Sequence, residues 1–144
     1  MTLVVKTADT EAERAAAYAL RREVFVVEQG VPEDLERDGL DPGATHVVAL
    51  EGGRCVGTGR LVVQAGGVGR VGRMAVDRAL RRRGAGDRVL EALEEHSRAA
   101  VLREIELHAQ CYVEAFYANR GYVRAGEVFE EAGIDHVVMR KRLS

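Results

Sequence analysis

Residues 81–86 read Arg-Arg-Arg-Gly-Ala-Gly, and they stand between a strand-like run and an amphipathic helical one. That order constrains the chain more than any other feature. Glycines at a helix entrance let the backbone approach a ligand closely, and the N–H groups of the first turn have no partner inside the helix. The helix dipole adds partial positive charge at the same point, so a pyrophosphate is a fitting occupant. Arginines beside it would add charge-assisted hydrogen bonds. Two other phosphate motifs do not fit. A Walker loop needs Gly-Lys-Ser/Thr, which the sequence lacks. Gly67-Val68-Gly69-Arg70-Val71-Gly72 spells a dinucleotide fingerprint, but it runs into the strand-like Met74-Ala75-Val76 instead of opening a helix. Those glycines read as a hairpin and its strand.

The rest of the composition bounds what such a loop could serve. A length of 144 residues predicts one domain spanning the whole chain, with enough residues for a real core. No apolar run approaches the roughly 20 residues of a membrane span, and Met1–Lys6 lacks a cationic region ahead of an apolar one. A cytoplasmic protein without a membrane partner is expected. Cys55 and Cys111 belong to no CxxC or Cys/His cluster, so neither a disulfide framework nor a metal site is expected. The net charge of −2 argues against nucleic acid as a partner. Charge is nevertheless uneven: seven arginines lie between Arg70 and Arg88, against Asp77 and Asp87 alone. Such a local excess suits a compact polyanion.

Along the chain, Leu3-Val4-Val5 predicts an opening strand. Thr10-Glu11-Ala12-Glu13 then matches a capping box. Ala16, Leu20, Val24 and Val27 recur on one helical face. Residues 28–43, acidic and broken by Pro32, Gly39 and Pro42, predict a loop or short helix. Strands follow at about 46–50, 55–63 and 68–76, the last with poor alternation, and then a helix from about 84 to 100. Glu104-Ile105-Glu106-Leu107-His108 alternates strictly, putting His108 and Gln110 on its polar face. A short helix over 112–119 ends at Gly121, and a hairpin around residues 131–133 closes the chain. Strands first in a meander and then separated by helices predict an α/β (α+β) fold with a mixed sheet covered by helices.

Arg81-x-x-Gly84-x-Gly86 after a strand resembles motif A of the GNAT acetyltransferases, Gln/Arg-x-x-Gly-x-Gly/Ala. Phe116-Tyr117-Ala118-Asn119-Arg120-Gly121-Tyr122 is similar to that family's Phe-Tyr-x-x-x-Gly-Phe/Tyr segment. The stretches Leu20–Gln29, Leu107–Gln110 and Phe129–His136 are similar to its ElaA-like branch, so the resemblance covers essentially the whole chain. It implies a central sheet of about seven strands, splayed between the fourth and fifth and flanked by about four helices. It implies an N-acetyltransferase that uses acetyl-CoA as acyl donor and no metal. Backbone of Met74, Ala75 and Val76 would hold the pantetheine arm, and that of Arg82, Arg83, Gly84, Ala85 and Gly86 the pyrophosphate. Arg81 and Asn119 would complete the cofactor contacts, and Tyr117 would protonate the departing thiolate. Helical geometry would turn Phe116 to the core while Tyr117 faces the cleft. Two departures stand out. The fourth-strand stretch Gly69–Arg73 has no carboxylate where many GNAT enzymes carry a glutamate base, and Cys111 stands where many have an asparagine.

On the acceptor side, His108, Glu28 or an ordered water is the candidate base, and Gln110 and His136 are candidate substrate contacts. The acidic residues of 28–43 favour a cationic amine, whether small molecule or peptide. Cys111 reads as a packing residue. An exposed final strand would let two subunits pair as a homodimer. The rival function is a non-catalytic module that binds and senses acyl-CoA.

Overall fold

The computed structural model describes residues 2–143. Its sheet runs in the order β1-β2-β3-β4-β5-β8-β6, with β7 also pairing β8. These are β1 (Val4–Thr7), β2 (Thr45–Glu51), β3 (Arg54–Gln64), β4 (Val68–Val76), β5 (Glu104–Gln110), β6 (Val123–Arg124), β7 (Phe129–Glu131) and β8 (Ile134–Arg142). Every pairing is antiparallel except β4 with β5. The helices are α1 (Glu11–Arg21), α2 (Glu33–Glu36), α3 (Ala85–Ala99) and α4 (Glu114–Ala118).

The expected architecture holds, with eight strands where about seven were read. Positive φ at Ala132 and Gly133 makes the final hairpin turn. Gly126, at φ 130°, interrupts the strand before it, leaving β6 and β7 as separate pieces. Both lie against β8, whose other edge meets β5. The final strand is therefore internal, and the edge on which a homodimer was expected is already paired within the chain.

Alternation on β2 divides the core. Val47 and Ala49 join Val89, Leu93, Ile105 and Leu107 beneath α3, while Val48 packs with Ala17 of α1 on the other face. Each valine, leucine or isoleucine among them contributes about 1.5–3 kcal/mol on burial. Helix α3 sits directly on β3: a Cβ at Gly59 would lie 2.7 Å from Leu93 Cδ1 and 2.8 Å from Met74 Sδ. Helix α1 begins at the capping box, with Thr10 Oγ accepting from the Glu13 amide at 3.1 Å. It continues as a π-helical turn over Arg22–Glu28. That wider turn rotates the sequence off the 3.6-residue period. Ala17 and Leu20 of α1 and Val24 of the turn are buried, but Val27 points to solvent, against expectation.

The poor alternation of β4 has a similar cause. Thr58 pairs with Ala75 and Arg60 with Gly72, so Arg73 and Met74 together oppose Gly59 in a β-bulge. Arg73 has φ 53°. Gly69 and Val71 face α3 before the bulge; Met74 and Val76 do so after it, and Ala75 turns to Leu20 and Val24.

The acidic segment 28–43 is held by buried arginines. Arg21, 1% exposed, donates to Glu36 at 2.8 Å and to Asp41 at 2.7 Å. Arg60 donates to Asp38 at 2.8 Å and Asp41 at 3.0 Å, and Arg73 reaches Glu36 at 3.1 Å and Asp38 at 3.2 Å. Burial alone would raise the Asp41 carboxyl; the bonds from Arg21 and Arg60 outweigh it and hold the group far below the usual carboxylate range. Three arginines thus consume Glu36, Asp38 and Asp41, and Glu33 pairs with Arg22. Most of the acidity that favoured a cationic acceptor is spent on ion pairs, the exposed Arg22–Glu33 pair among them.

Removing one partner from a buried network strands the others, so Arg21→Ala is expected to cost about 3–5 kcal/mol in urea denaturation. A loss below about 1 kcal/mol would show that the network is dispensable.

Candidate active site

Pairing between β4 and β5 spans Val68–Val71 against Glu104–Leu107 and then stops. Beyond it β4 follows β3 and β5 follows β8, so Gly72–Val76 have one edge with no strand opposite. A cavity of about 1020 Å³ occupies the gap. Met74, Val76, Gly84, Gly86, Phe116 and Tyr117 line one part; Arg60, Arg70, Arg73, His108, Gln110 and His136 line another.

The loop before α3 enters the helix through left-handed backbone at Arg82 (φ 66°) and Gly84 (φ 87°). Arg82 and Arg83 are exposed, and their side chains have no ion-pair partner among the described residues. At Gly86 a Cβ would come within 3.5 Å of Phe116 Cζ and 3.6 Å of Val76 Cγ2, filling part of the cradle. Ala85 is buried in the core, contributing backbone alone to the loop surface.

Arg81 and Glu28 are each other's partner. The guanidinium donates to the two carboxylate oxygens at 2.6 and 2.7 Å and to the Val76 carbonyl at 3.1 Å. Those bonds hold the Glu28 carboxyl below its ordinary value. The Glu28 carboxylate is thus engaged by Arg81, and the Arg81 fork is already filled.

Tyr117 lies in α4 with its ring edge-on to Phe116 at 5.0 Å and to Tyr122 at 5.8 Å. It is 8% exposed, lines the cavity, and its hydroxyl has no hydrogen-bond partner among the described residues. Burial pushes the phenol well above its ordinary value. Phe116 packs against the core, as expected, and also lines the cavity. The Arg120 guanidinium sits 3.9 Å from its ring centre and pairs with Asp87. Asn119, by contrast, is exposed and does not border the cavity. One residue is about 100° of helix, and that rotation gives the wall Arg120 in place of Asn119. An arginine directly before the helix-ending Gly121 was the available signal.

His108 Nδ1 lies 2.9 Å from Arg70 Nη2 and 2.9 Å from Glu131 Oε2. A single ring nitrogen either accepts or donates, so the tautomer decides which contact is the hydrogen bond. Burial would raise Glu131, and the His108 contact more than offsets it, leaving the carboxyl below its usual range. Gln110 and Gln29 exchange amide hydrogen bonds at 2.9 and 3.2 Å, joining β5 to the end of the π-helical turn. His136, 7% exposed, bonds the Ile134 carbonyl and stacks on Phe129. Cys111 is half-buried beside the core. Arg70 and Glu131 escaped the sequence reading, because neither is near His108 along the chain.

An open mixed sheet, with a glycine-rich helix entrance at its gap, is the architecture of an acyltransferase. Residues 6–143 match the family described as acetyltransferase (GNAT) domain, and the chain belongs to that family. The N-acetyltransferase YjcF of Bacillus subtilis, itself uncharacterized, is 35% identical over 135 residues, covering 93% of this chain and 96% of that protein. ElaA of Escherichia coli is 30% identical over 132 residues, covering 89% and 86%. The crystal structure of a candidate N-acetyltransferase from Lactobacillus plantarum superposes with a TM-score of 0.92 at 34% identity, covering all of both chains. The likeness to ElaA noted in the sequence is thus a real kinship. No helix among the described residues is long and apolar enough to cross a membrane.

The raised phenol has a spectroscopic consequence. Subtracting Tyr117→Phe from wild type should leave no tyrosinate absorbance step up to about pH 11, beyond the ordinary tyrosine value near 10. A full step below that pH would show the ring to be open to bulk water.

Proposed function

We propose that the protein transfers the acetyl group of acetyl-CoA directly to an amine. The observation that carries this reading is the meeting, at one cavity, of the unpaired β4 edge, the left-handed glycine loop and an unpartnered tyrosine hydroxyl. Main-chain groups of Met74, Ala75 and Val76 would pair with the pantetheine amides as an added strand does. The N–H groups of Arg82 to Gly86 would take the pyrophosphate, helped by the Arg82 and Arg83 side chains. Gln110 and His136 would border the acceptor.

In the reaction the amine nitrogen bonds to the thioester carbonyl carbon and the carbon–sulfur bond breaks. A backbone N–H at the bulge would polarise the carbonyl. Tyr117 keeps its proton throughout the working range, and a phenol raised by burial is a weaker acid than the thiol it faces. Its part is then a hydrogen bond to the developing thiolate, with the proton lost by the amine completing the balance. With Glu28 ion-paired, His108 is the side chain placed to receive that proton, through Nε2 when Nδ1–H donates to Glu131.

Tyr117→Phe removes a donor to developing negative charge and is expected to lower kcat on the order of 100-fold, with CoA affinity by calorimetry nearly unchanged. Wild-type turnover in that variant would reduce Tyr117 to a packing residue. Gly86→Val should instead abolish CoA binding in a folded protein; unchanged affinity would remove the pyrophosphate site from this loop. Glu28→Gln should keep kcat within a few-fold, and a loss of 100-fold or more would restore Glu28 as the base.

A further inference from the structure

Six arginines line the cavity: Arg60, Arg70, Arg73, Arg81, Arg82 and Arg120. Four are in ion pairs, with Asp38 and Asp41, with Glu36 and Asp38, with Glu28, and with Asp87 respectively for Arg60, Arg73, Arg81 and Arg120. Two have no carboxylate partner among the described residues. Arg82 belongs to the loop assigned to pyrophosphate. Arg70 is on β4, in the part of the cavity bordered by His108, with its Nη2 resting on an imidazole. A second orphan lies in the same wall. Arg60 Nε is buried without a hydrogen-bond partner, in a residue 6% exposed and paired on β3 with Gly72. Half-buried guanidinium groups are costly to leave unmatched.

We infer that Arg70 receives a carboxylate carried by the acceptor, so that the substrate is an amine with an acidic group, of the amino-acid class. The inference rests on the acetyl-transfer reading and names its substrate. A planar guanidinium fork matches a carboxylate with two parallel bonds, and one cation offsets one negative charge. Binding there also resolves the conflict at His108. Arg70 leaves Nδ1 for the incoming carboxylate, Nδ1–H then donates to Glu131, and Nε2 carries the free lone pair that a base needs. An amine without the acid leaves Arg70 on Nδ1, where the proton must sit on Nε2. The opposing charges around this point are Glu131, engaged by His108, and Glu106, engaged by Arg140 at 3.3 Å and 4.0 Å from His108 Nε2.

The test compares acceptors that differ only in the acid: L-phenylalanine against 2-phenylethylamine, L-lysine against cadaverine, and O-phosphoethanolamine against ethanolamine. CoA release should favour the carboxylated member about 10-fold or more in kcat/KM. Arg70→Ala should bring that ratio near unity, Arg70→Lys should leave it intermediate, and Arg70→Glu should reverse it toward cadaverine. Arg142→Glu, an exposed charge change on β8, should leave the ratio alone. Equal turnover within the carboxylate pairs, a preference confined to the phosphate pair, or a ratio unmoved by Arg70→Ala would each overturn the inference. A second readout does not need turnover. N-acetyl-L-phenylalanine and N-acetyl-2-phenylethylamine are titrated by calorimetry into the CoA-loaded protein, wild type and Arg70→Ala. If no amine is acetylated, the acetyl-transfer reading fails, while tighter binding of the acid by wild type alone still supports the Arg70 site. Equal or no binding of the two overturns it.

Discussion

A backbone N–H or C=O taken from water needs a partner, and from Gly72 to Val76 one edge of β4 has no strand to supply it, although the Arg81 guanidinium meets the Val76 carbonyl. The site is organised around this gap. Upstream, pairing with β5 anchors the strand, and β3 secures its other edge throughout. The opening is therefore stable without being filled, and it presents a row of donors and acceptors at fixed spacing. The bulge at Arg73 and Met74 sits in that exposed stretch, adding twist where the two halves of the sheet part.

The wall opposite the cofactor side depends on a different balance. Arg21, Arg60 and Arg73 take three carboxylates into the interior, where neither sign would be tolerated alone. Because these pairs are matched, the segment after α1 is tied to the sheet, and little of its charge reaches the cavity. What the cavity retains is an excess of guanidinium over carboxylate, with Arg70 and Arg82 outside any ion pair among the described residues.

Much of this was legible in the residues. The capping box, the strict alternation of β5 and the glycine-rich entry to α3 each rest on local geometry, and each appears as read. So does the hairpin reading of Gly67–Gly72, with Gly67 in the turn and Gly69 packed against Leu61 and Leu102. Failures came where phase or pairing is set elsewhere. The π-helical turn moved Val27 outward, and the bulge reversed the faces of β4; neither has a residue signature. The ion pair of Glu28 with Arg81, far along the chain, was not legible beside its reading as a base. Asn119 was off by one step of rotation. His108 was legible as a polar-face residue of β5, yet the groups that decide its proton, Arg70 and Glu131, come from two other strands.

The contact of α3 with β3 gives distant residues leverage over the phosphate loop. At Gly59 the helix rests on bare backbone, with Leu93, Val89 and Met74 all closer to the missing Cβ than a real side chain permits. Any methyl there would act as a wedge under the middle of a 15-residue rod. Its N-terminal end carries Gly84 and Gly86, so a small lift becomes a displacement of the loop. A glycine outside the cavity lining thereby bears on how the loop proposed for pyrophosphate is seated. Variation at that position would be inherited as a change in cofactor affinity, even though it lies in the floor of the molecule.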